Sequence, residues 1–304
     1  MKRFGRPMKT IKKWWILLFI CGMLCCGCSA PAAPDSPAME EESAFPEKVI
    51  ALSKSNAELW LLAGGSLTAT SEDAMNLEGI SPETVSLGDM DHVSLEAVTA
   101  LEPDMMILFS TDPAQKALGE AAEGIGLNVF YTNIDSFEDY AEVMRDLTQM
   151  TGREDLYRKY VADVETQIVD ICSMVSQNAG EGTYLLLHVS ATKSKVEKND
   201  YFACEIMNDL GLKNIAADDS GFNELSMEQV AASDPDYIFV VPRGDETKAM
   251  ESFDELFRSH PAWSSLSAVK DQNFYLLSKE LFGLKPNARW AESYRQAYEL
   301  LYGE

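Results

Sequence analysis

Cysteine is scarce in this chain: six among 304 residues, four of them between positions 21 and 28, so only Cys172 and Cys204 serve the rest. Two thiols cannot build a disulfide framework, and their spacing does not say whether they pair; two buried thiols is the simpler reading. Histidine is scarcer still, with three residues, and no His/Asp/Glu cluster has zinc spacing, which disfavours a direct metal-ion binder. Basic residues are few, 25 Lys and Arg against 49 Asp and Glu, a formal charge of −24. Six of those bases lie in residues 1–27 with no acid, so the remainder carries 19 against 49, a net of −30. Nucleic-acid binding needs clustered Lys and Arg to displace counterions from phosphates, and such a surface excludes it. Also missing are a Gly-x-Ser-x-Gly elbow, an HExxH and a Walker loop. Asp89 and Asp91 sit on a loop without partners for acid–base work, so an extracytoplasmic enzyme is a remote alternative.

Long apolar runs are missing too, except at the start. Six basic residues precede Trp14–Leu24, about half of the ~20 apolar residues that span a bilayer as a helix. Charged then apolar is the order of a secretory signal. Leu24-Cys25-Cys26-Gly27-Cys28-Ser29 follows, which resembles a bacterial lipobox: a small residue before a cysteine that becomes lipidated and N-terminal. Gly27 makes Cys28 the first choice and Cys26 the second, although Leu24 stands four residues before Cys28 where three is usual. The stretch from Ala30 through Glu42, rich in Pro, Ala, Ser and Glu, cannot bury enough apolar surface to fold and reads as a tether. The division is therefore a signal peptide over 1–27, a tether over 28–46 and a folded part beyond.

What is present beyond the tether is an ordinary globular composition, 46% hydrophobic and 24% charged, long enough for two lobes. Val49–Leu52, Met105–Phe109, Leu127–Tyr131, Tyr184–Val189, Tyr237–Val241 and Asn273–Leu277 read as buried strands. Helical patterns such as Asn56–Ala63 and Leu95–Leu101 alternate with them, predicting an α/β fold with mainly parallel sheets. Between Gly152 and Gln177 the apolar positions Leu156, Tyr160, Val161, Val164, Ile168, Ile171 and Val175 keep three- and four-residue steps. That predicts one long helix of roughly 39 Å, closed by Asn178-Ala179-Gly180 and able to join two lobes. The lobes are assigned to 47–150 and 181–304, with the connecting helix over 151–180.

The two halves share a unit. Ser94-Leu95-Glu96-Ala97-Val98 leads through Pro103-Asp104 into one strand, and Ser226-Met227-Glu228-Gln229-Val230 leads through Pro235-Asp236 into another, at a constant offset of 132. In each copy Ser can cap a helix whose Glu lies in the first turn, and Pro-Asp turns the chain into a strand. Open α/β sheets bind ligands at the carboxyl ends of their strands, so two such lobes facing each other predict a cleft.

The segments Val49-Ile50-Ala51-Leu52-Ser53, Leu101-Glu102-Pro103-Asp104, Leu210–Ile215, Leu225–Val230, Pro261-Ala262-Trp263 and Lys285-Pro286-Asn287 occur here in order. Through them the chain from 47 to 304 resembles the class III substrate-binding lipoproteins of ABC importers, which carry ferric siderophores, haem or cobalamin. The resemblance implies two Rossmann-like lobes joined by one long α-helix, with the ligand cleft between the lobes and limited closure. It implies a monomer, lipid-anchored on the extracytoplasmic face of the bacterial cell membrane. Its partners would be a permease dimer with ATPase subunits and a small metal chelate or tetrapyrrole. It also implies that one exposed glutamate per lobe docks on the permease; Glu96 and Glu228 match, although each equally complements a helix dipole.

The loops after the strands then supply candidate ligand contacts. Lys54, Lys193, Lys195 and Arg243 are basic groups in an acidic protein, suited to an anionic chelate or solvated on the surface. Phe109, Tyr131, Tyr201 and Phe282 could line the cleft or belong to the core. Met90 and His92 could serve as axial ligands to haem iron. Haem binders of the family place a His between Pro and Gly, where this chain has Pro242-Arg243-Gly244, and that favours an anionic iron(III) complex, foremost a ferric siderophore. Haem and cobalamin remain alternatives, although Met90 stands where a cobalamin binder would carry an aromatic. No resident cofactor is expected. His188 reads as a core residue and His260 as a turn residue.

Overall fold

The computed structural model describes residues 45–175, 182–217 and 226–303. The signal peptide, Cys28, most of the tether and the predicted helix stop at 178–180 lie outside them. The first lobe holds β1 (Val49–Ala51), β2 (Leu67–Thr70), β3 (Val85–Ser86), β4 (Met105–Phe109) and β5 (Asn128–Thr132). They form one parallel sheet in the order β3-β2-β1-β4-β5. The second lobe holds β6 (Thr183–Val189), β7 (Ser194–Val196), β8 (Lys213–Asn214), β9 (Tyr237–Pro242) and β10 (Phe274–Leu276). Its order is β10-β9-β6-β7, with β8 also on β6, and all pairs are parallel except β6 with β7.

Central strands buried on both faces explain the apolar runs. Along β1 and β4, Val49, Ala51, Met105 and Ile107 face one core, while Ile50, Leu52, Met106 and Leu108 face another. Along β6 and β9, Tyr184, Leu186, Phe239 and Val241 join that same first core, while Leu185, Leu187, Ile238 and Val240 face a third. One core therefore runs through both lobes. Its centre is an aromatic group in which Trp290 meets Phe137 at 5.7 Å and Phe202 at 5.6 Å, with the Tyr140 ring beside them at 6.5 Å. The helix Trp290–Tyr302 carries Tyr294, Ala297 and Tyr298 into it.

The connection between the lobes is helical from Glu154 to Met174, with a single π-type turn at Arg158–Ala162. It starts two residues later than the periodicity predicts because Gly152, at φ 67°, takes the left-handed conformation that ends the preceding helix Phe137–Met150. At 21 residues it spans about 31 Å. Val161, Val164, Ile168 and Ile171 are its buried face.

The repeated unit is a structural repeat. Ser94 Oγ accepts from the Ala97 amide and Ser226 Oγ from the Gln229 amide, both at 3.2 Å. Glu102 and Asp234, again 132 apart, both adopt positive φ, 49° and 40°. Asp104 accepts from the Lys48 amide at 2.8 Å and Asp236 from the Thr183 amide at 2.7 Å, so each aspartate ties its strand to the start of the neighbouring one. The two amide donors, from Lys48 and Glu47, hold the Asp104 carboxyl below its usual range.

Candidate functional site: a cleft between the lobes

The carboxyl ends of β1, β4 and β9 open on one cleft, where open parallel sheets present ligand sites. It has two overlapping compartments of about 530 and 560 Å³ that share Met90, Phe109, Tyr201, Arg243 and Lys285. One is the more apolar, walled by Leu77, Phe202 and Leu284. The other contains Asp112, Asp135, Lys195, Glu197 and Asp200.

On the first-lobe wall, β1 runs into Ser53, whose backbone has φ 86° and ψ 148°, an unusual conformation for a non-glycine residue. Local bonds hold it there: its amide donates to Ser71 Oγ at 2.9 Å and its own Oγ caps the next helix through the Asn56 amide. The turn delivers Lys54 to the rim, with its amide bound to Asp73 at 3.0 Å and its side chain exposed. Phe109 ends β4, and Gln115 Oε1 accepts from its amide at 2.9 Å.

The second-lobe wall is organised by a buried carboxylate. Glu197 is 2% exposed and meets Lys195 Nζ at 2.8 Å and His188 Nδ1 at 2.8 Å. Burial pushes its carboxyl up, but the hydrogen bonds from His188 and Lys195 outweigh that and hold it below the usual carboxylate range. His188 packs edge-on to Tyr201, with ring centroids 5.0 Å apart. The Tyr201 hydroxyl in turn donates to the Phe282 carbonyl. Burial raises the Tyr201 phenol well above its ordinary value, so it acts as a neutral donor.

Of the ten sequence-predicted contacts, the cleft brings together Lys54, Met90, Phe109, Lys195, Tyr201 and Arg243. The other four do not line these compartments. His92 is exposed, 3.6 Å from Asp89 within its own turn, and is not part of the cleft wall. Tyr131 pairs in register with Leu108, which puts its ring on the helix-covered face of the sheet beside Gly119 and Glu123. Lys193 sits at the exposed tip of the turn before β7, where its carbonyl accepts from the Ser190 amide. Phe282 is fully buried in the shared core and offers only its carbonyl to Tyr201. Sequence reasoning missed Glu197, Lys285 and Arg289; Lys285 was at least within the Lys285-Pro286-Asn287 segment that carries the resemblance. Glu96 and Glu228 are exposed in the first turns of equivalent helices.

Residues 49–281 match the sequence pattern of the periplasmic binding protein family. The chain belongs to that family. It is 27% identical to the iron-uptake system-binding protein of Bacillus subtilis over 66% of its own length and 62% of that relative's. An uncharacterized ABC transporter substrate-binding lipoprotein of the same organism, YvrC, is 24% identical over 97% of this chain and 98% of that one. Among solved structures, a possible iron-binding periplasmic solute-binding protein from Staphylococcus epidermidis superposes with a TM-score of 0.72 at 17% identity, covering 85% of this chain and 99% of that one. Two mainly parallel sheets bridged by one helical connection are the architecture the sequence predicts.

Proposed function

We propose that this member of the periplasmic binding protein family captures an iron(III) complex, a ferric siderophore, outside the cytoplasmic membrane and hands it to the permease of an ABC importer. The observation that carries the reading is the cleft at the facing carboxyl ends of two sheets, with Phe109, Tyr201 and Met90 beside the cations Lys54 and Arg243. Rings and a thioether bury the apolar surface of a chelate while the cations meet its oxygens. The iron-uptake relative from Bacillus subtilis supports the same cargo class. Haem is less well served, since Met90 lines the cleft and His92 does not. The role is binding, not catalysis. Lipid at Cys28 would anchor a monomer to the membrane, and Glu96 and Glu228 would meet the permease.

Titration of the full-length chain in detergent micelles with haemin, a ferric catecholate, a ferric hydroxamate and cyanocobalamin tests the cargo. Trp290 packs on Phe202 of the cleft wall, so tryptophan fluorescence reports occupancy. Saturable sub-micromolar binding of a ferric siderophore is expected; binding of haemin or cyanocobalamin alone would overturn the iron-siderophore reading.

A further inference from the structure

The cationic side chains of the cleft differ in whether they are free to act on a ligand. Together the two compartments are lined by five basic and seven acidic side chains, a formal net of two negative charges. Lys195 is matched by the buried Glu197 at 2.8 Å, and Lys285 by Asp135 at 3.2 Å. Arg289 gives a guanidinium N–H to the Glu280 carbonyl at 3.2 Å. Lys54, Arg243 and Arg289 have no carboxylate within 4.0 Å among the described residues, and Lys54 and Arg243 also have no side-chain hydrogen bond there. Against them stand Asp200 and Glu280, both exposed on the same walls and both without a cationic partner among the described residues. The wider field points the same way, since the chain beyond residue 27 carries −30. Such a field lowers the local concentration of a polyanion and slows its approach.

Resting on the reading that the cargo is a metal chelate, we infer that the cleft selects a complex of low net charge, one whose few exposed oxygens are met by Arg243, and rejects polyanionic complexes. Among the described residues, a trianionic chelate entering this cleft would find three cations without a carboxylate partner (Lys54, Arg243 and Arg289), five carboxylates without a cationic one (Glu58, Asp73, Asp112, Asp200 and Glu280) and an opposing long-range field. Its desolvation would go largely uncompensated. A neutral chelate loses little on desolvation and still offers oxygen acceptors to the Arg243 fork. Its apolar exterior would meet Leu77, Met90, Phe109, Phe202 and Leu284. Glu197 is then a selectivity determinant: by fixing Lys195 in an ion pair, it withholds the charge that an anion would otherwise use.

Calorimetric titration of the full-length chain with a neutral ferric trihydroxamate, a trianionic ferric tricatecholate, ferric citrate, haemin and cyanocobalamin, all compared at one ionic strength and again at a lower one, tests this. The trihydroxamate is expected to bind at least about 100-fold more tightly than the tricatecholate, and the gap to widen as salt is lowered. Arg243→Gln should weaken the trihydroxamate about tenfold or more. Asp200→Asn, at an exposed position outside the core, should narrow the ratio between neutral and trianionic ligands several-fold. A tricatecholate or ferric citrate that binds more tightly than the trihydroxamate overturns the charge inference and leaves the iron reading standing. Cyanocobalamin alone binding overturns the iron reading and leaves the low-charge selection standing. Binding of haemin alone, with its two carboxylates, or of nothing at all, overturns both.

Discussion

Asn287 joins the lobes through one buried side chain, and its removal should be costly in a calculable way. It is fully buried and adopts φ 49°. Its Nδ2 donates to Glu58 Oε2 at 2.7 Å and to the Ser55 carbonyl at 3.3 Å, and its Oδ1 accepts from Ser55 Oγ at 3.3 Å. Glu58 and Ser55 belong to the first helix of the first lobe, 229 and 232 residues away in sequence. A hydrogen bond to a charged acceptor contributes about 1.5–3 kcal/mol. Asn also tolerates the left-handed region, where Ala costs about 1–2 kcal/mol. Asn287→Ala should therefore lower stability by about 3–4 kcal/mol. With an m-value of about 3 kcal/mol/M, the urea midpoint falls by about 1 M. Asn287→Gly loses the same bonds but not the conformational ease, so it should recover about 0.5–1 kcal/mol after its larger unfolded-state entropy is counted. Urea titrations followed by tryptophan fluorescence and by far-ultraviolet circular dichroism measure both. An Asn287→Ala midpoint within about 0.2 M of the parent would refute the reasoning, and a glycine variant less stable than the alanine one would remove its conformational part.

Three further outcomes follow from the same structure. Burial lifts the Glu205 carboxyl from 4.5 to about 7, with Asp209, Asp139 and Glu138 adding to the rise and the Phe137 amide opposing it. The folded state thus holds that proton more tightly than the unfolded one, and the contribution, complete below 4.5, is lost as pH rises through about 7. Melting temperatures of the parent should fall relative to Glu205→Gln between pH 5 and 8, and parallel curves would show that this carboxyl does not titrate there. Reversing both exposed acids, Glu96→Lys with Glu228→Lys, should abolish uptake in whole cells while ligand affinity stays within about twofold, since neither residue lines the cleft; undiminished uptake removes them from permease docking. Cys28→Ala should shift the protein from the membrane fraction to the soluble one, and mass spectrometry finding an unmodified mature N-terminus in the parent would refute lipidation.

Much of the fold was legible because its strands are buried on both faces. Met105–Phe109 is a strand to the residue, and the strand expected over Leu127–Tyr131 is displaced by one position. The offset of 132 was readable because Ser caps and Pro-Asp turns are local devices that leave a fixed imprint on sequence. The strands β2, β3, β7 and β8 were not readable, being two to four residues long and carrying Thr, Ser, Lys or Asn that their neighbours dictate. The same double burial that revealed the strands concealed which way their aromatics point. Tyr131 and Phe109 lie on adjacent strands of one sheet, yet only Phe109 reaches the cleft. The lysine-rich segment 193–198 looked like a cationic patch, and its one buried charged member, Glu197, was invisible without the antiparallel pairing of β6 and β7 that folds it inward. Lysines in sequence are formal charges; only the fold says which are already answered.

The core that passes unbroken from one lobe to the other also bears on kinetics. Trp290, Phe137, Tyr140 and Phe202 interlock across the junction, so a wide hinge motion would have to tear apart packed rings. A molecule braced in this way meets its cargo in nearly its final shape. Capture is then a single bimolecular encounter, with an observed rate that climbs in proportion to ligand concentration and no plateau from a slow closing step. Residence time is set by the contacts themselves, and letting go is work for whatever prises the lobes apart.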